Sequence, residues 1–423
     1  MSDVDPGARR ITPVHHLQRM SGRDPHEVNR AATPLELLFD LTFVIAFGVA
    51  ALELAGQLVE RHFGAGLAGF AVSVFAVCWA WINFSWFASA YDTDDWVYRV
   101  TTMLQMVGVI FLALGIPPVY DSIHEGEYVD FGVMVTGYVV MRIAMVFQWL
   151  RAARQDPQRR SACLTHATAI TVAQIGWIGV IILHPSVRVT LWLYAVLILV
   201  EFRGPWVAEK FKGGTPWHPH HIAERYSLLV IIALGEGVVG TVASLSAVIA
   251  EQGWTVDTAL VAIAGTGLTF GMWWVYFVIP AAPLLRAHRH RPFKFGYGAI
   301  PMFGAIVATG AGLHAAAAYI EHSSQLSSME TVLTLAIPVG IYLLCIFAIY
   351  VGLVRRVRLL YVFLMVGAAA VLVAAVVLAD HGVSMAICLL VVMIAPFVVV
   401  IGYEVVGHRR AEDAVGRVLV SEL

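Results

Sequence analysis

His218–Gly240 reads HPHHIAERYSLLVIIALGEGVVG. It opens with histidines, an acid and a base, and then turns almost wholly apolar, with one further acid, Glu236, set inside the apolar run. A run of roughly 20 such residues is long enough to cross a bilayer as a helix. Runs of this kind recur along the chain, beginning near Leu35, Leu67, Val97, Val129, Ala162, Val187, Ile222, Thr258, Phe295, Thr331, Leu359 and Val383. Composition agrees: 59% of residues are hydrophobic and 13% charged, against about 25% charged in soluble domains. A transmembrane β-barrel needs segments of about ten residues with alternating polarity. These runs are continuous and about twice as long, so they predict an all-α polytopic membrane protein with about twelve transmembrane helices.

Orientation follows from the basic residues. With the N-terminus inside, inner segments hold 24 of the 27 Lys and Arg residues, outer loops hold Arg61 and Arg188, and Arg142 lies within a helix. By the positive-inside rule this predicts a multipass protein of the inner (plasma) membrane with both termini cytoplasmic. The net charge of −2 conceals that asymmetry, and nothing in it points to nucleic acid. The first 33 residues are polar and lack an apolar signal-peptide core. Cys78, Cys163, Cys345 and Cys388 fall in the apolar runs without metal-type spacing and predict no disulfides.

The chain also carries signs of duplication. Shifting by 188 residues places Glu36 on Glu224, Leu41 on Leu229 and Trp86 on Trp274, and Glu201 ends the sixth run as Glu404 ends the twelfth. Six helices per half means that both halves start on the same side, as parallel repeats. The expected organisation is a cytoplasmic tail at 1–33, a six-helix repeat at 34–202, a Pro/Gly-rich linker at 203–221, a second repeat at 222–406 and a cytoplasmic tail at 407–423.

TPLELLFDLTFV near the start, with HHIAERYSLLVIIALGEGVV at mid-chain, resembles the bacterial low temperature requirement A family, from about Thr33 to Glu404. The elements that carry the resemblance are Leu38-Phe39-Asp40 and Glu224, Arg225, Leu234, Gly235 and Glu236. It implies the membrane class and helix count, but no reaction or substrate.

Charges inside a membrane helix cost about 2.5–3.5 kcal/mol on insertion scales and face partners or water. Glu36 and Asp40 are four apart and share a helix face. Glu224 and Arg225 start the seventh run, and Glu236 lies about 18 Å deeper than Glu224 at 1.5 Å per residue. Eleven residues separate Arg225 from Glu236, which puts them on one stripe. Arg142 is the other charge near mid-depth, which makes an Arg142–Glu236 ion pair one expectation and a polar pathway past Glu236 another. Gly235, Gly237 and Gly240 allow either close helix approach or a local break. Trp79, Trp81, Trp86, Trp273 and Trp274 read as interfacial residues or as the lining of a site.

His221 and Glu224 lie one turn apart and could hold a divalent metal, with His288 and His290 from another connection on the same side; otherwise no cofactor is expected. No phosphate loop, nucleotide fingerprint or nucleophile motif is present, so an enzyme would have to work inside the bilayer. Three classes remain: translocation of an ion or small solute, a membrane-embedded enzyme, and a structural or interaction protein. The partners are the lipid bilayer and the unknown solute, with room for a homo-oligomer.

Overall fold

The computed structural model describes residues 17–25, 27, 30–287, 292–354 and 359–407. Among them are twelve helices long and apolar enough to cross a membrane. They are α1 (Pro34–Val59), α2 (Phe63–Tyr91), α3 (Trp96–Glu125), α4 (Gly132–Gln155), α5 (Pro157–Leu183) and α6 (Val187–Phe211) in the first half. The second half holds α7 (Pro219–Gln252), α8 (Val256–Arg286), α9 (Phe293–Ile320), α10 (Ser328–Leu353), α11 (Leu359–Asp380) and α12 (Met385–Val405). The only β pairing among the described residues is a bridge between Tyr128 and Ser186. The protein is an all-helical, multipass membrane protein, and each helix begins within five residues of its expected start.

Local chemistry sets the starts. Thr33 and Glu36 form a capping box with Pro34 at the first helical position of α1. Asp95 caps α3 by accepting the Tyr98 N–H. His218 caps α7 ahead of Pro219.

α1 packs on α2, α3, α7 and α9, while α9 packs on α7, α10, α1 and α2. The halves therefore meet at α1, α2, α7 and α9. Burial follows: 72% of the α2 span and 78% of the α9 span lie inside the protein, against 17% of α6 and 22% of α11. Those last two are the helices most open to lipid.

Some packing is common to the halves. α3 lies on α1 and α4, as α9 lies on α7 and α10, and successive helices pair throughout the first half and, except for α8 with α9, in the second. Such packing would follow from a duplication, and equally from any run of short antiparallel connections. The tight α8–α12 contact has a wider counterpart between α2 and α6, which are spaced by the rings of Phe75, Trp79, Tyr194 and Phe202. An indole–carboxylate bond occurs in both places: Trp79 Nε1–H donates to Glu201 and Trp274 Nε1–H to Glu404. By that role Trp274 corresponds to Trp79, seven residues from Trp86, whose indole instead faces the Tyr226 hydroxyl.

Two segments differ from expectation. The linker 203–221 is helical at both ends, because α6 continues to Phe211 through Pro205 and α7 begins at Pro219. The polar N-terminal segment is docked from residue 17 onward. Met20 is fully buried, its N–H donates to Gln155 Oε1, the Arg151 guanidinium donates to the Gln18 carbonyl, and the Arg23 N–H donates to the Ala90 carbonyl.

Candidate functional site

Asp40 and Arg225 each lie six residues into their helix, about 9 Å along the axis. α1 and α7 run side by side from the same face, so equal depth brings the two together. The Arg225 guanidinium reaches Glu36 Oε1 at 3.1 Å and bonds Asp40 Oδ1 and Ser85 Oγ. Asp40 Oδ1 also accepts the Trp81 indole N–H at 2.7 Å. Glu36 Oε2 accepts the Thr33 N–H at 2.7 Å and faces His221 Nε2 at 3.1 Å. Glu36, Asp40, His221 and Arg225 are all fully buried. Two carboxylates thus share one guanidinium, inside a protein where each unpaired charge would cost several kcal/mol. The rings of Trp81 and Phe84 flank the guanidinium carbon at 5.7 Å, within the range of cation–π attraction.

His221 donates from Nε2 to the Glu36 carboxylate, because only a protonated nitrogen satisfies a carboxylate. The same logic assigns His218. Its Nδ1 accepts the His221 N–H and its Nε2–H donates to the Glu27 carbonyl at 2.6 Å. Burial pushes the His218 imidazole below its ordinary pKa, which favours this neutral form.

The cluster extends to the helix ends. Arg30 is buried and donates to the carbonyls of Ala88 and Ser89. Asp92, between α2 and α3, is buried, and burial raises its carboxyl to about 6, reinforced by the charge of Glu36 and opposed by Arg30. Asp95 goes the other way: burial works to raise it, but bonds from Arg151 and from the Tyr98 and Gln18 N–H groups hold it below the usual range.

Glu236 lies about 16 Å beyond Arg225 along α7. It is 4% exposed, and no described residue gives its carboxylate a hydrogen bond or an ion pair. It sits where α1, α7 and α9 converge. A Cβ on Gly48 of α1 would lie 3.2 Å from Glu236 Oε1, and one on Gly310 of α9 would lie 2.8 Å from Glu236 Cβ. At Gly310 only glycine admits so close a backbone, while a side chain at Gly48 would press on the Glu236 carboxylate. Between Glu236 and the Arg225 cluster stands an apolar layer that includes the fully buried Phe43, Phe47, Leu229 and Ala233. One turn past Gly310, the buried His314 Nε2 also has no hydrogen-bond partner.

The expected Arg142–Glu236 pair is not formed. Arg142 meets Glu201 at 3.5 Å and the Tyr138 hydroxyl at 3.0 Å, and Glu201 also accepts from the indoles of Trp79 and Trp177. The reason is lateral position: α4 packs with α2, α3 and α5, while α7 packs with α9, α8, α1 and α2, and α4 and α7 are not packed on each other. Similar depth does not bring their charges together. α7 is also unbroken at its glycines, with Gly237 against Thr269 and Gly240 against Leu313 and Gly310. Close packing is therefore what those two glycines serve.

His221 and Glu224 are not brought to one point. Glu224 Oε2 accepts the Ala32 N–H and lies 4.0 Å from His220, while His221 turns to Glu36. Among the described residues no group of three or more His, Cys, Asp or Glu side chains is placed to hold a metal. His288 and His290 lie outside the described residues. Trp79 and Trp81 are buried bond donors rather than interfacial residues, whereas Trp273 is 36% exposed.

Sequence reasoning missed Trp81, Ser85, Arg30 and Asp92 as members of the cluster, and Glu201 as the partner of Arg142. The Thr33-x-x-Glu36 capping signature was available in the sequence and bears on Glu36. No local signal marks the others, because their partners come from other helices.

The family model described as "Bacterial low temperature requirement A protein (LtrA)" matches residues 31–396. A curated relative, an uncharacterized protein of Rhizobium meliloti, is 29% identical over 294 residues, covering 66% of this chain and 67% of that protein.

Proposed function

This chain belongs to the bacterial low temperature requirement A family, and on that premise we propose that it translocates a proton or another small cation, with Glu236 as the binding residue. The observation that carries the reading is the isolation of that carboxylate. Glu36, Asp40, Asp95 and Glu201 all have cationic partners. Glu236, 4% exposed like Glu201, has none. An acid at mid-depth without a countercharge is stable only when protonated or when a cation neutralises it. His314, one turn further along α9, extends the unpaired polar groups toward the opposite face. The Arg225 cluster and the apolar layer around Phe43 and Leu229 close the path on the other side, so the conformation described is a shut one.

The distribution of Lys and Arg supports placing the Arg225 cluster on the cytoplasmic side of the inner membrane, with both termini cytoplasmic. Reporter fusions after Gly126, Gly253 and Ser324 should report the outside, and fusions after Asp156 and Lys212 the inside. A consistent reversal would reject this orientation.

The translocation reading is tested in liposomes holding the purified full chain, with a pH-sensitive dye inside and imposed proton, sodium or potassium gradients in turn. Glu236→Gln keeps size and removes the charge, and should lower the flux by roughly tenfold or more, as expected for an intramembrane ionisable group on the path. Its melting temperature should stay near that of the unaltered protein, since no ion pair is lost. Wild-type liposomes that leak no faster than empty ones, or a Gln variant with unchanged flux, would reject the proposal. A membrane-embedded enzyme has less support, because His221 and Glu224 turn to different partners.

A further inference from the structure

Away from Glu236, α2 and α10 each pack on α9 and leave a cleft of about 810 Å³ between them. Its floor is a row of compact residues on α9: Pro301, Gly304, Ala305 and Ala308. Its walls carry Leu67 and Ile337, which are 58% and 55% exposed and open to the surrounding membrane. The lining runs from Phe63 to Phe75 on α2 and from Met329 to Ile341 on α10. Twelve residues on each helix make it about 18 Å deep, close to one leaflet's half of a hydrocarbon core about 30 Å thick.

The mouth is not apolar. Glu330 lines it and is bonded to Arg61, whose side chain is 52% exposed. Arg61 follows the end of α1 with φ 64°. Helices usually place Gly or Asn at that left-handed position, and a left-handed backbone there costs an arginine energy that glycine avoids. Arg61 and Arg188, the latter in the first turn of α6, are the two Lys or Arg residues that the sequence places at that end of the helices. A guanidinium has five N–H donors, and one carboxylate leaves several free for a second anion.

We propose that this cleft is a phospholipid site, with acyl chains along α9 between α2 and α10 and the phosphate held by the free N–H groups of Arg61. The occupant comes from the leaflet on the Arg61 side. Apolar depth matched to one leaflet selects the tails, and a half-exposed arginine at the mouth selects a phosphate headgroup. The site does not depend on the translocation reading.

The test is native mass spectrometry of the full chain released from detergent, after washing that strips loosely held lipid. One phospholipid should remain on the wild-type protein. Ala308→Phe, which raises the floor, should lower its occupancy about tenfold, and Arg61→Gln should lower it severalfold while the protein stays folded by its melting curve. Arg188→Gln should retain the lipid as wild type does. If Ala308→Phe fails to fold, the Arg61→Gln and Arg188→Gln comparison decides alone. Wild-type protein carrying detergent only, a retained amphiphile without phosphorus, or equal retention in Arg61→Gln and wild type would overturn the proposal.

Discussion

Arg225→Met lowers the stability of the folded protein by about 3–5 kcal/mol, the range for removing one member of a buried ion pair. The cause is what remains. Glu36 and Asp40 stay fully buried with no cation between them, and Ser85 loses a donor. Neutralising the stranded acids should restore much of the loss. Glu36→Gln keeps an acceptor for the Thr33 N–H, and Asp40→Asn keeps one for the Trp81 indole. The triple variant should therefore melt much closer to wild type than Arg225→Met does, when unfolding is followed in the same detergent. An Arg225→Met protein with wild-type stability would show that the cluster holds nothing together.

The second large effect concerns Arg142 and Glu201. Arg142→Leu leaves Glu201 buried with only the indoles of Trp79 and Trp177 for partners, and should also cost about 3–5 kcal/mol. Glu201→Gln alone strands the guanidinium with the Tyr138 hydroxyl. Together the two changes remove both charges and keep the acceptor for Trp79, so the double variant should lose less than the sum of the singles by at least about 2 kcal/mol. Additive losses would contradict the pair. Glu236→Gln should leave this cycle unchanged, because Glu236 and Arg142 sit in different parts of the bundle.

The membrane class and the helix starts were legible because both rest on local pattern: apolar runs of bilayer length, ended by Gly, Pro or charge. The equal depth of Asp40 and Arg225 was legible too, since each follows the start of an apolar run, but that their helices are neighbours was not. Depth alone misled at Arg142. It locates a charge along the membrane normal and says nothing of the lateral position of its helix, which depends on contacts such as α1 with α9 that lie some 260 residues apart in the chain. Trp81 and Trp79 were misread for a related reason. An indole at a helix end and one bonded to a buried carboxylate look alike until the neighbouring helix is known.

The docked N-terminal segment has a consequence for biosynthesis. Part of its seat is made late: Glu27 meets His218 across 191 residues, Ala32 meets Glu224 across 192, and Arg30 meets His220 across 190. At about 5–20 residues per second, the ribosome needs roughly 10–40 s to supply them. Until α7 emerges, the segment has no complete seat, and Glu36 and Asp40 have entered the membrane without their arginine. The first six helices are thus held as an unfinished assembly with two uncompensated acids. The arrival of α7 both neutralises those acids through Arg225 and covers Glu27, Arg30 and Ala32, so a truncated first half would leave that part of the leading segment open to proteases while the finished chain shields it.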